Sequence, residues 1–170
     1  MVQDKSEEVQ DKTQDENYHF QPYKLDQYAQ ELVLKHRHED KVLNESHKMR
    51  MAVAYGLERF WGEHLRLKRE NKDKAQYWKD VWDKLADILK LADILNEGEG
   101  GITLPNDDVT SHLPARTRDE KQAKEQDETD KITAMAKKIW KIELPKQRIA
   151  LMVLTQFCEA LVWWTQRYKL

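Results

Sequence analysis

The sequence is poor in the residues that bend a chain. It holds 5 Gly and 4 Pro in 170 residues, fewer than an average globular domain carries. Strand-rich folds reverse direction often and use these residues to do so, so the shortage excludes a sheet-based architecture. Cysteine is scarcer still. Cys158 stands alone, which rules out an intramolecular disulfide and a cysteine-based metal cluster within the chain. The segment Met1 to Gln10 lacks the charged-then-apolar order of an export signal, and a cytoplasmic setting is predicted. There the sequon Asn44-Glu45-Ser46 is a chance match. Long apolar runs are also missing. The densest, Ile149 to Trp164, rises about 24 Å as a helix, short of the roughly 20 apolar residues that a bilayer requires. Thr155, Gln156 and Glu159 interrupt it. No membrane partner is predicted, and a central helix wrapped by the others fits the run better.

What is present points to helices. Hydrophobic residues make up 39% and charged residues 35%, with Glu, Lys, Leu and Ala prominent, all strong helix formers. The length suits one domain. The sequence predicts an all-α protein, a compact bundle of about five helices with a long loop between the third and the fourth. Residues 1–21 read as a disordered acidic tail with too little apolar surface to offset the entropy of ordering, and residues 22–170 as a single helical-bundle domain.

Apolar spacing places the helices. Tyr28, Leu32 and Val33 share a face from Tyr23 to about His38. Met49, Val53, Leu57, Phe60 and His64 recur at three- and four-residue steps through a long second helix, about Val42 to Arg69. Trp78, Val81, Trp82, Leu85, Leu89 and Ala92 mark a third, Asp73 to about Asn96, which Gly98, Gly100 and Gly101 end. The echo of Leu85-Ala86-Asp87-Ile88-Leu89 in Leu91-Ala92-Asp93-Ile94-Leu95 is rotated by about 120°, so it widens the apolar face and is no structural repeat. Residues 98–116, with Pro105, Pro114 and Asn106-Asp107-Asp108, read as the long loop. Thr117 and Glu120 fit a capping box opening a fourth helix with Ile132, Met135, Ala136 and Ile139 inward. Pro145 suits the first turn of a fifth, reaching about Tyr168.

The residues that carry chemistry in enzymes are poorly assembled. Di-iron bundles need Glu-x-x-His on two helices. One match exists, Glu16-Asn17-Tyr18-His19, and it falls in the expected tail. His36 and His38 stand about 200° apart on a helix, too far round to share an ion, and Arg37 between them suggests a solvated basic turn. His64 lies on an apolar face, where a core or boundary histidine is the usual reading. Gly98-Glu99-Gly100-Gly101 follows a helix, whereas a phosphate loop precedes one. Cys158, mid-way along the most apolar helix, reads as buried and inert. No catalytic residue, metal or cofactor is predicted.

Charge is where the sequence has functional colour. The net charge of −2 hides blocks of −5 over 1–34, +4 over 35–84, −7 over 85–130 and +6 over 131–170. On one continuous second helix Lys48, Arg59 and Arg66 fall within about 20° of each other, with Tyr55 in line. Glu45, Glu63 and Glu70 border that stripe. Lys131, Lys137, Lys138 and Lys141 follow on the fourth helix, then Lys146 and Arg148. Such residues neutralise phosphates. The expectation is that cations from separate stretches converge into one exposed surface. Trp78 and Trp82 read as packing. The neighbours Trp163 and Trp164 cannot both face one core, so one is a candidate partner interface.

The closing helix, Phe157-Cys158-Glu159-Ala160-Leu161-Val162 with Tyr168 near its end, and the lysine-rich helix before it resemble the small helical subunits of multi-protein (class 1) CRISPR effector complexes. They also resemble the separately made C-terminal part of a type I-D large subunit, a product that begins inside a longer gene. The likeness spans about the last 40 residues at motif level and otherwise rests on size and helical character. It implies a non-catalytic small subunit of an antiviral Cascade-type surveillance complex. The implied partners are other subunits, further copies of itself, the guide RNA–target complex and single-stranded DNA. Base pairing then reads the sequence while the protein holds backbone. The residues implied for nucleic-acid contact are Lys137, Lys138, Lys141, Lys146, Arg148, Arg59 and Arg66. The alternative is a helical protein–protein adaptor without nucleic-acid contact, using Trp163, Trp164 and the acidic block.

Overall fold

A computed structural model describes residues 22–95 and 102–170. The tail expected over 1–21, with its Glu16–His19 motif, and the glycine-rich stop at 98–101 lie outside the described residues. Among the described residues there are six α-helices and no strand: α1 Pro22–His36, α2 Glu45–Ala52, α3 Leu57–Glu70, α4 Lys72–Leu95, α5 Arg118–Trp140 and α6 Leu144–Tyr168. The all-α reading holds, with six helices where the spacing predicts about five.

The extra helix comes from a break at Gly56. Short 3-10 turns at Val42–Asn44 and Val53–Tyr55 flank α2, and the second runs into Gly56 at φ 97° and ψ 170°. A Cβ is strained there, and an α-helix cannot continue through it. Met49, Val53, Leu57, Phe60 and His64 are nonetheless all buried. The apolar period crosses the break in phase, which is why periodicity hides it.

Two groups of helices result. α3 and α4 form a tight hairpin about Asn71, whose side-chain Oδ1 accepts the backbone N–H groups of Asp73 and Lys74 at 3.1 and 3.0 Å and so caps α4. Phe60 lies 4.9 Å from Trp78 and 6.5 Å from Trp82, ring centre to ring centre, inside this hairpin. The second group is α6 packed against α1 and α2. Gln30 donates to the Tyr168 hydroxyl at 3.0 Å, and Arg37 Nε donates to the Tyr168 carbonyl at 2.9 Å.

The seam between the groups is polar and buried. His36, at the end of α1, meets Asp80 of α4 at 2.8 Å and Glu39 at 2.6 Å. Ser46 of α2 links the hydroxyls of Tyr77 and Thr165, both at 2.7 Å. Glu45 accepts the indole N–H of Trp78 at 3.0 Å and lies 2.9 Å from Lys48 and 3.4 Å from Lys74. Burial alone would raise the Glu45 carboxyl, but that indole bond, the Lys48 bond and the two lysine charges hold it below the usual range.

α5 opens with the expected capping box, Thr117 with Glu120. Only its later turns reach the core, where Met135, Ala136 and Ile139 are buried and the helix meets α3. Residues 102–117 before it have no regular structure but are stitched down. Leu104, Val109 and Ser111 are buried, Trp82 Nε1 donates to the Pro105 carbonyl at 3.1 Å, and Lys131 donates to the Thr110 carbonyl at 3.1 Å.

α6 departs from the expected central helix wrapped by its neighbours. Ala150, Leu154, Phe157, Cys158 and Leu161 are buried, while Ile149, Met152 and Trp163 are exposed. Those three fall within about 60° of each other around the helix, so apolar residues occupy both faces and only one face is covered. Among the described residues no helix is long and apolar enough to cross a membrane.

Candidate functional site

The basic residues expected to act together lie on two stretches of the chain, the α5–α6 junction and the α2–α3 segment. At the α5–α6 junction Lys137 and Lys141 are exposed. They lie about 40° apart on α5 and roughly opposite Met135 and Ile139. Neither has a carboxylate partner within ion-pair distance among the described residues. Lys138 pairs with Asp107 of the preceding connection. On α6 Lys146 is half-buried and Arg148 exposed, both without an ion pair among the described residues. Two residues apart on a helix they stand about 160° from each other, so they leave α6 on different sides. Between the lysines Trp140 is 63% exposed. The sequence reading passed over Trp140, although the apolar face set by Ile132, Met135 and Ile139 puts it about 90° off that face.

The second place is the α2–α3 side. Gly56 interrupts the helix expected to carry Lys48, Tyr55, Arg59 and Arg66, yet Lys48, Tyr55 and Arg59 still line one groove. Arg66 is held by Glu63 and by Glu70 at 2.7 Å, and these bonds raise its pKa further. Arg59 is exposed and has no carboxylate partner among the described residues. It shares with Lys48, Met51 and Tyr55 an open groove of about 390 Å³ with the buried Trp78 beneath.

Trp163 and Trp164 divide as their adjacency requires. Trp163 is 45% exposed, with the Arg167 guanidinium 3.0 Å above its ring. Trp164 is half-buried, stacked on Tyr168 at 5.6 Å, and its indole N–H has no partner among the described residues. Trp163 is thus the outward member of the pair, and the expectation of an interface narrows to it.

The groups weighed for chemistry are embedded in the fold. Burial pushes the Cys158 thiol well above the ordinary cysteine range. His64 is buried with Nδ1 against the Trp61 carbonyl, and desolvation lowers its pKa despite that bond. His36 does not sit in a solvated turn. It is 1% exposed with a carboxylate on each nitrogen, and its spacing from His38 gave no hint of Asp80, which lies on another helix. Among the described residues no group of three or more His, Cys, Asp or Glu side chains is placed to hold a metal ion.

No family model, curated protein or solved structure matches the chain.

Proposed function

We propose that the protein is a non-catalytic nucleic-acid-binding subunit of a larger assembly, of the kind formed by the small helical subunits of CRISPR effector complexes that it resembles. The α5–α6 junction then contacts phosphates of the target or displaced strand. One observation carries the reading: Lys137, Lys141, Lys146 and Arg148 flank the exposed Trp140 in sequence at the α5–α6 junction without ion-pair partners among the described residues, while Lys48, Arg66 and Lys138 have them. A cation already matched to a carboxylate loses that partner when it meets a phosphate. An unmatched one releases only water and counterions.

Salt titration tests this. Binding of a labelled single-stranded oligonucleotide is followed by fluorescence anisotropy across a salt series. Replacing Lys137, Lys141, Lys146 and Arg148 by Ala lowers affinity and flattens the log–log salt slope by up to about 2.8, at about 0.7 per single-strand phosphate contact. Unchanged affinity and slope in that variant refute the assignment. Lys138→Ala has the smaller effect, since Asp107 already holds Lys138.

A second reading, a protein–protein adaptor, draws on the uncovered line Ile149, Met152 and Trp163. Association through that face persists at high salt, where phosphate contacts fade.

A further inference from the structure

The groove beside Gly56 plays no part in the phosphate contacts assigned to the α5–α6 junction. We propose that it receives one unpaired base of the bound strand, stacked on Tyr55, with the adjoining phosphate on Arg59. The inference rests on the nucleic-acid reading above and adds a second contact to it.

Four observations support this occupant. The groove exists because Gly56 turns the chain: α2 and its 3-10 turn form one wall, α3 the other, and Trp78 of α4 lies beneath. At about 390 Å³ it is near the lower end of small-ligand sites, a size that suits one nucleotide. Its rim presents apolar and aromatic surface, with Tyr55 67% and Met51 72% exposed. Its charge favours an anion. Arg59 has no carboxylate partner among the described residues, and the rim acid Glu63 is engaged by Arg66, which also holds Glu70. Lys48 shares the buried Glu45 carboxylate with Lys74, two ammonium groups for one carboxylate.

Aromatic stacking with a base tolerates any sequence because every base has a π-face. It requires a base free of its pair, since a base inside a duplex has both faces covered. The groove therefore distinguishes single from double strands, which phosphate contacts alone do poorly.

The experiment compares wild type, Tyr55→Ala, Tyr55→Phe and Arg59→Gln for binding a single strand and a duplex of the same sequence at several salt concentrations. The loss of one base–aromatic stack weakens single-strand binding by about tenfold. Tyr55→Ala shows that loss at every salt concentration and leaves duplex binding unchanged. Tyr55→Phe retains wild-type affinity, and Arg59→Gln lowers the single-strand salt slope by about 0.7. Both side chains are exposed, and matching thermal melts establish that the variants fold. If Tyr55→Ala binds single strands like wild type while the four-cation junction variant does not, the groove assignment fails and the nucleic-acid reading stands. If wild type binds neither strand form at low salt, both fall.

Discussion

His36 makes the stability of this bundle depend on pH in a calculable direction. Its ring nitrogens face carboxylates on both sides, Glu39 Oε2 at 2.6 Å and Asp80 Oδ2 at 2.8 Å. Lys35 at 2.7 Å and Gln76 at 2.8 Å complete the surroundings of Asp80, and Tyr77 lies 4.9 Å from the imidazole. A neutral imidazole can donate through only one nitrogen, so satisfying both carboxylates requires the charged form. Burial opposes that charge. The hydrogen bonds to Asp80 and Glu39 outweigh it and raise the pKa above the ordinary histidine value. A raised folded pKa stabilises fully below the unfolded value of about 6.5 and ceases to do so as pH climbs through the folded value. Deprotonation forfeits one charge-assisted bond, about 1.5–3 kcal/mol, which for a chain of this size lowers Tm by about 3–12 °C. His64 acts oppositely. Its pKa is lowered, chiefly by burial, so its contribution is present above about pH 6.5 and lost below it. The two windows meet, and stability peaks near pH 6.5. Asp80, held at about 2 against burial by His36, Lys35 and Gln76, adds a further loss below about pH 4. Urea unfolding, followed by tryptophan fluorescence between pH 5 and 9, measures the curve. His36→Gln retains one donor and no charge; it abolishes the fall above pH 6.5 and lowers stability at pH 6 by a similar 1.5–3 kcal/mol, roughly. Parallel curves for wild type and His36→Gln above pH 6.5 refute the reasoning.

Two further outcomes follow from the backbone and the core. Gly56→Ala meets no atom within 4 Å, yet its φ of 97° is strained for alanine, so it destabilises by about 1–3 kcal/mol in urea unfolding; a change below a few tenths would contradict the strain. Cys158, buried with its pKa pushed up, reacts with a thiol reagent only as fast as the native state opens, and adding denaturant accelerates labelling steeply. Labelling at the rate of a free thiol in native buffer would place it outside the core.

Helix content and most of the core were legible because burial and helical period coincide. Met135, Ala136 and Ile139 repeat at helical spacing and are buried, and Thr117 with Glu120 forms the capping box that its spacing announces. Gly56 was illegible because the apolar residues on either side remain in phase, while a positive φ leaves no trace in composition. The outer face of α6 misled for the converse reason. Ile149, Met152 and Trp163 are chemically indistinguishable from core residues, and only the packing of the helices reveals that they are left exposed among the described residues. Which cations are neutralised was equally hidden. Glu63 and Glu70 were visible beside Arg66, whereas Asp107 reaches Lys138 from a connection with no periodicity to place it.

The pairing of α1 with α6 imposes an order on the birth of the fold. Synthesis runs from the N-terminus, so α1 and α2 leave the ribosome before the helix against which both pack, which begins more than ninety residues after α2 ends. The α3–α4 hairpin closes on itself across one residue and can assemble in the interval, since local contacts form fastest. Closure then waits for α6. An unfinished chain shows apolar surface throughout that delay, when chaperones or neighbouring nascent chains can engage it.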